Sequence, residues 1–299
     1  MGARVWLRRL CAGAIVGLGL ALVPSGVAAG TVTTINGTAA DGSQYRMEVP
    51  SPWNGTLLLY SHGYEFGAHN PLIDAPLGTR DFLLGNGYAL AASTYSTTGW
   101  ALEQAFTDQT NLVGLFDSTF GTPERTIAWG HSLGGMITAG LVQLFPDRFT
   151  AALPMCGVVA GGPGVWNQGL DSVFALKTLT GGAYDIVNFT PQDVLSEFNA
   201  AFAGLVAAQG TPQGRARIAL SAALADVPGW FNPASPEPAA ADFTTQELNQ
   251  FQWDTNPDFA FAFFGRLELE QRARGNFSWN TGVDYRVQLS HSVDLAEVK

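Results

Sequence analysis

Thr126-Ile127-Ala128-Trp129-Gly130-His131-Ser132-Leu133-Gly134-Gly135-Met136 is the stretch on which the reading of this chain turns. Thr126 to Trp129 is a short apolar run of the kind that forms a buried strand, and it feeds directly into Gly130. On the far side, Met136, Ile137, Gly140, Leu141 and Leu144 fall on helical spacings, and Pro146 predicts a stop near Phe145. The pattern therefore reads strand, tight turn, helix, with Ser132 at the tip. A serine hydroxyl is a poor nucleophile at neutral pH, and it needs a position that a base can reach and where preplaced donors meet the developing oxyanion. Gly130 and Gly134 are the small residues that let the chain turn sharply there, and Gly135 gives further room between helix and strand. The N–H of Leu133, at the start of the helix, is free to donate to an oxyanion.

Working outward, short apolar runs alternate with helix-like stretches from Gly30 to about Gly157, the pattern of βαβ units and a largely parallel sheet. Tyr45 to Val49 alternates as a strand does. Thr56 to Tyr60 is a continuous apolar run suited to a central strand covered on both faces. Arg80 to Leu84 reads as a short helix stopped by Gly85-Asn86-Gly87, and Tyr88 to Ala92 as the next strand. The spacing of Trp100, Leu102, Phe106, Leu112, Leu115 and Phe116 predicts a helix to about Phe120, and Thr150 to Met155 is a further strand. Neither a P-loop lysine nor a Rossmann spacing accompanies the glycines, which argues against a nucleotide-binding turn.

Ser61-His62-Gly63-Tyr64 follows the Thr56 to Tyr60 strand directly. With the Gly130 to Gly134 turn, this histidine-glycine pair resembles the α/β-hydrolase superfamily over roughly residues 31–157. The resemblance implies an oxyanion hole completed by the backbone N–H after the pair, most simply that of Tyr64. It also implies a serine-acid-histidine triad in that chain order and acyl transfer without a metal or organic cofactor. His62 is expected to shape the turn, and His131 to point away from the nucleophile. His69 precedes the serine, against the family's order. His291, with Asp284 before it, satisfies the order, but the seven residues between them cannot hold the helix and strand that normally separate acid from base. The expectation is therefore a chain that ends inside the cap, before the strands that carry both groups.

Residues 1–29 read as an export signal: Arg4, Arg8 and Arg9 precede an apolar stretch from Leu10 to Val23, and Val27-Ala28-Ala29 supplies a cleavage site. The stretch is shorter than the roughly 20 residues that span a bilayer, so no stable membrane anchor is expected after cleavage, and the protein is expected to be secreted or extracytoplasmic. Removing those three arginines leaves 12 basic against 25 acidic residues, a net charge of −13. Such acidity offers no footprint for nucleic acid. Cys11 leaves with the signal, so Cys156 is expected to be a buried small apolar residue or to have its partner further along.

Residues 30–157 are expected to form the core, and residues 158–299 a mainly helical cap. Gly161-Gly162-Pro163-Gly164 reads as a linker-like break, Thr244 with Glu247 has capping-box spacing, and Asn256-Pro257 is expected to start a phenylalanine-rich helix ended by Gly275. The phenylalanines read as packing, and Glu268 and Glu270 as solvated charge. The resemblance implies a serine hydrolase for small-molecule esters or peptides, with carboxylic esters first. An exported aminopeptidase of the same superfamily and a non-catalytic binding protein on this fold are the alternatives.

Overall fold

The computed structural model describes residues 30–67, 72, 75 and 77–278. The signal-like segment, His69, Asp284 and His291 lie outside the described residues. Two compact units divide between Val165 and Trp166.

The first unit is built on β1 (Val32–Thr38), β2 (Gln44–Pro50), β3 (Thr56–Ser61), β4 (Ala89–Ser93), β5 (Arg125–His131) and β6 (Ala151–Met155), in the sheet order β1-β2-β4-β3-β5-β6. β1 and β2 form an antiparallel hairpin whose turn is tied by Asp41, which accepts from the Ser43 N–H at 2.8 Å, and β2 runs antiparallel to β4. The remaining pairs, β4 with β3, β3 with β5 and β5 with β6, are parallel. This is an α/β fold with a largely parallel sheet, as expected. Alternation of side chains explains the layers. Leu57, Leu59, Ala91 and Ala128 face one core with α2 (Leu102–Phe120) and α3 (Leu133–Leu144), while Leu58, Tyr60, Leu90 and Trp129 face Leu84 of α1 (Leu77–Gly85). All six residues of β3 are buried, which is why its sequence is continuous rather than alternating.

The connections place the site. From β3 the chain goes to β4 on one side, and from β5 to β6 on the other. Adjacent parallel strands whose connections diverge leave a crevice at their C-terminal ends, and β3 and β5 are in register there, with Ser61 opposite Gly130.

The second unit contains α4 (Gly162–Thr180), whose first turn lies before the division, α5 (Val194–Gln209), α6 (Pro212–Leu224), α7 (Phe243–Trp253) and α8 (Arg266–Ala273). Its core joins Val173 and Leu176 of α4, Ala201 and Leu205 of α5, Ile218 of α6, and Phe259 and Phe263. Those phenylalanines are fully buried packing residues.

Several expectations need correction. Gly162-Pro163-Gly164 is not a break but the first turn of α4: Gly161, at φ 92°, turns the chain, and proline suits a first turn whose N–H groups lack intrahelical partners. Thr244 does not cap α7. Asp242 does, accepting from the Thr245 N–H at 3.1 Å, and Glu247 is buried instead of closing a capping box. Asn256-Pro257 does not start a helix. The chain continues from α7 through two π-helical stretches, Asp254–Asp258 and Ala260–Gly265, into α8, and the Phe259 N–H reaches back five residues to the Asp254 carbonyl. The wider turn accommodates a proline that an α-turn would exclude.

Glu270 is not solvated. It is buried against Arg266 at 3.0 Å and accepts from the Phe189 N–H at 2.9 Å. Cys156 is exposed rather than buried, because it leaves the end of β6 at φ 48°.

Candidate active site

Ser132 stands between β5 and α3 with φ 56° and ψ −121°, a sparsely populated conformation for a residue with a Cβ. The surroundings hold it there. Its N–H donates to the Met155 carbonyl at 3.0 Å, and its carbonyl accepts from Gly135 at 3.0 Å and Met136 at 3.2 Å. The flanking glycines are required by space. A Cβ on Gly130 would lie 2.3 Å from the Ser61 carbonyl oxygen, one on Gly134 1.9 Å from the same oxygen, and one on Gly135 2.7 Å from the Gly157 Cα. The elbow is therefore wedged between the C-terminal ends of β3 and β6, and only glycine passes.

Leu133 is the first residue of α3, with its side chain in the core, so its N–H has no intrahelical acceptor. The loop after β3 comes alongside: a Cβ on Gly63 would sit 3.4 Å from the Ser132 Cβ and 4.0 Å from its Oγ. Thus β3 and β5 bring His62, Gly63, Gly130, Ser132, Leu133 and Gly134 to one place, and Tyr64 follows within the loop.

His62 is buried beneath this loop. Its Nδ1 lies 2.7 Å from the Gly63 carbonyl oxygen, and burial lowers its pKa, outweighing the carbonyls of Gly63 and Thr94, which favour the protonated ring. His131 is only partly buried. Its Nδ1 pairs with the Tyr60 hydroxyl at 3.1 Å, and burial lowers its pKa as well. Among the described residues, no histidine hydrogen-bonds the Ser132 hydroxyl. His291, the candidate base by chain order, lies outside them.

Three supporting residues escaped the sequence reading. Gln109, fully buried, donates through Nε2 to the Tyr60 carbonyl and to the Ser61 hydroxyl, both at 2.8 Å, and accepts from Ser93 at 3.2 Å. Asp108 accepts from the Ser96 N–H at 2.6 Å and its hydroxyl at 2.9 Å; burial raises its pKa against those bonds. Tyr95, at φ 56°, stacks on His62 with centroids 4.1 Å apart and donates its hydroxyl to the His62 carbonyl at 3.0 Å. Only Gln109 left a signal: it falls at helical spacing with Ala105, Leu112 and Phe116, so the apolar face of α2 contains one amide. A polar residue there needs partners.

Away from this site, the second unit holds an unusual carboxyl group. Asp254 is 1% exposed and neither of its oxygens has a hydrogen-bond partner among the described residues. Burial, then the charges of Asp258 and Glu247, pushes its pKa up to about 8, and burial pushes Asp258 up to about 7 against a hydrogen bond from Ser172.

The elbow at the C-terminal edge of a parallel sheet, beside a histidine-glycine loop, defines the class, and the chain belongs to the α/β-hydrolase superfamily. A model of the prolyl oligopeptidase family matches residues 96–161, which include the elbow. An o-phthalyl amidase from Xanthobacter agilis is 26% identical over 277 residues, covering 83% of this chain and 59% of the amidase. The chain thus spans about three-fifths of the length of this curated relative. Among solved structures, brefeldin A esterase, a bacterial homologue of human hormone-sensitive lipase, has a TM-score of 0.38 and 16% identity over 60% of this chain and 53% of that one. An esterase of Pyrococcus furiosus has a TM-score of 0.38 and 13% identity over 57% of this chain and 60% of that one.

Proposed function

We propose that this protein is an exported serine hydrolase that cleaves carboxylic esters by acyl transfer. The carrying observation is Ser132, held at φ 56° on a helix N-terminus with the Gly63 loop against it. In this reading the Ser132 oxygen attacks the ester carbonyl and its proton passes to a base. The N–H groups of Leu133 and Tyr64 hold the oxyanion, the alcohol departs with a proton, and water then releases the acid and restores the hydroxyl. His291 is the base candidate that chain order offers. No step calls for a metal or an organic cofactor.

Amide cleavage is the second reading, favoured by the amidase that aligns with 83% of the chain. The match of residues 96–161 to the prolyl oligopeptidase family favours a peptide-bond version of it.

A fluorophosphonate probe tests the nucleophile: labelling of the parent, abolished in Ser132→Ala, is the expected result, and an unlabelled parent or a labelled mutant defeats the proposal. Turnover of p-nitrophenyl esters but not of aryl amides or aminoacyl anilides would select esterase over amidase and peptidase. For export, the secreted protein should begin at Gly30 by N-terminal sequencing.

A further inference from the structure

Tyr95 is unusual on three counts. It has a left-handed backbone without being glycine, it is 3% exposed, and its polar atom is spent on one carbonyl of the loop beside Ser132. A bulky residue at positive φ is strained and persists only where its surroundings over-determine it. Here the Thr94 hydroxyl donates to the Tyr95 carbonyl at 3.1 Å, the Tyr95 N–H donates to the Ser93 hydroxyl at 3.4 Å, and Ser93 in turn donates to Gln109. The strand end that carries Tyr95 is thereby tied to the same amide that holds Tyr60 and Ser61, immediately before His62.

We infer that Tyr95 is a positioning residue for the oxyanion hole, acting through His62 on the peptide that joins Gly63 to Tyr64. The chain of contacts has two links. First, the Tyr95 hydroxyl fixes the His62 carbonyl, while its ring, at 21° to the imidazole, fixes the plane of the His62 side chain. Second, His62 Nδ1 meets the Gly63 carbonyl oxygen at 2.7 Å. That oxygen can only accept, so Nδ1 carries the proton. In a trans peptide the carbonyl and the following N–H point in opposite directions, and the Gly63–Tyr64 bond is trans. Holding the Gly63 carbonyl toward the buried imidazole therefore turns the Tyr64 N–H away from it, leaving that donor for an oxyanion. Burial keeps His62 neutral near pH 7, so this tautomer persists across the neutral range. Removing the Tyr95 hydroxyl frees the first carbonyl but leaves the stack, so the donor is loosened rather than lost.

The inference rests on the acyl-transfer reading of Ser132, and the test separates the two. The full chain and its Tyr95→Phe and Tyr95→Leu variants are compared in fluorophosphonate labelling rate, in kcat and KM on p-nitrophenyl acetate, and in affinity for an aryl trifluoromethyl ketone, whose adduct needs the oxyanion donors. Losing one oxyanion donor outright costs on the order of 100-fold or more in kcat, so Tyr95→Phe should lower kcat by roughly tenfold with KM and melting temperature unchanged. The ketone should weaken by the same factor as kcat/KM falls. Tyr95→Leu, which also loses the stack, should fall by roughly a further tenfold. If Tyr95→Leu does not fold, Tyr95→Phe decides alone. A Tyr95→Phe variant that matches the parent in labelling and kcat overturns the positioning role and leaves the nucleophile standing. So does a fall in kcat/KM with undiminished ketone affinity. A parent that is never labelled overturns the acyl-transfer reading, and this inference with it.

Discussion

At the scale of single residues, the elbow is a balance between strain and space. Ser132 occupies a backbone conformation in which its own Cβ is unwelcome, so Ser132→Gly should be more stable than Ser132→Ala by about 1 kcal/mol, measured by urea unfolding. Both variants should lose probe labelling. Gly134 sets the opposite limit. An added methyl would penetrate the Ser61 carbonyl, and both neighbours are backbone, so Gly134→Ala should destabilise the fold by about 3 kcal/mol or more in the same assay. These residues were legible in the sequence because glycine and serine at fixed spacing are the visible trace of a tight turn. Tyr95 was not, since nothing in a sequence marks a tyrosine that will adopt positive φ. The contact that gives it meaning comes from a histidine 33 positions earlier.

At the scale of elements, the strands and helices up to β6 were read nearly as they stand, because buried parallel strands are continuous apolar runs and the intervening helices end at glycine or proline. The hairpin partner β1 went unread: Val32–Thr38 is mostly exposed, and its threonines and asparagine carry no apolar alternation. In the second unit the local signals misled. Thr244 and Glu247 have the right spacing for a capping box, yet Asp242, two residues earlier, takes the role with both carboxyl oxygens engaged by Thr245. Asp242→Ala should therefore cost about 1 kcal/mol, while Thr244→Ala should be near neutral, as read from thermal unfolding. Asp254 invites a substitution of the opposite sign. Its carboxyl is buried without a hydrogen-bond partner, close enough to Asp258 and Glu247 to feel their charge, so Asp254→Asn should stabilise the protein at pH 8 by roughly 1–3 kcal/mol.

At the scale of the whole molecule, the same pair shapes the pH profile. Unfolded, both aspartates lose their protons near the ordinary carboxylate value of 3.8; folded, they hold them to about 8 and about 7. The folded state thus binds more protons between these limits, and the contribution of the pair to stability falls as pH rises from about 4 to about 8, then levels off. Urea titrations across that range should show this decline, and it should shrink in Asp254→Asn. Acidity on this scale was invisible in the sequence, where Asp254 and Asp258 are two charges among 25 acidic residues. What separates them is the π-helical stretch, and that stretch has a further effect on the molecule. A π-turn holds one more residue than an α-turn, so deleting one residue between Asp254 and Asp258 would restore α geometry and swing everything downstream by about 100° about the helix axis. Phe259 and Phe263 would leave the core, and the buried Arg266 and Glu270 would turn with them. The second unit should therefore tolerate a point substitution in this segment far better than the loss of a codon.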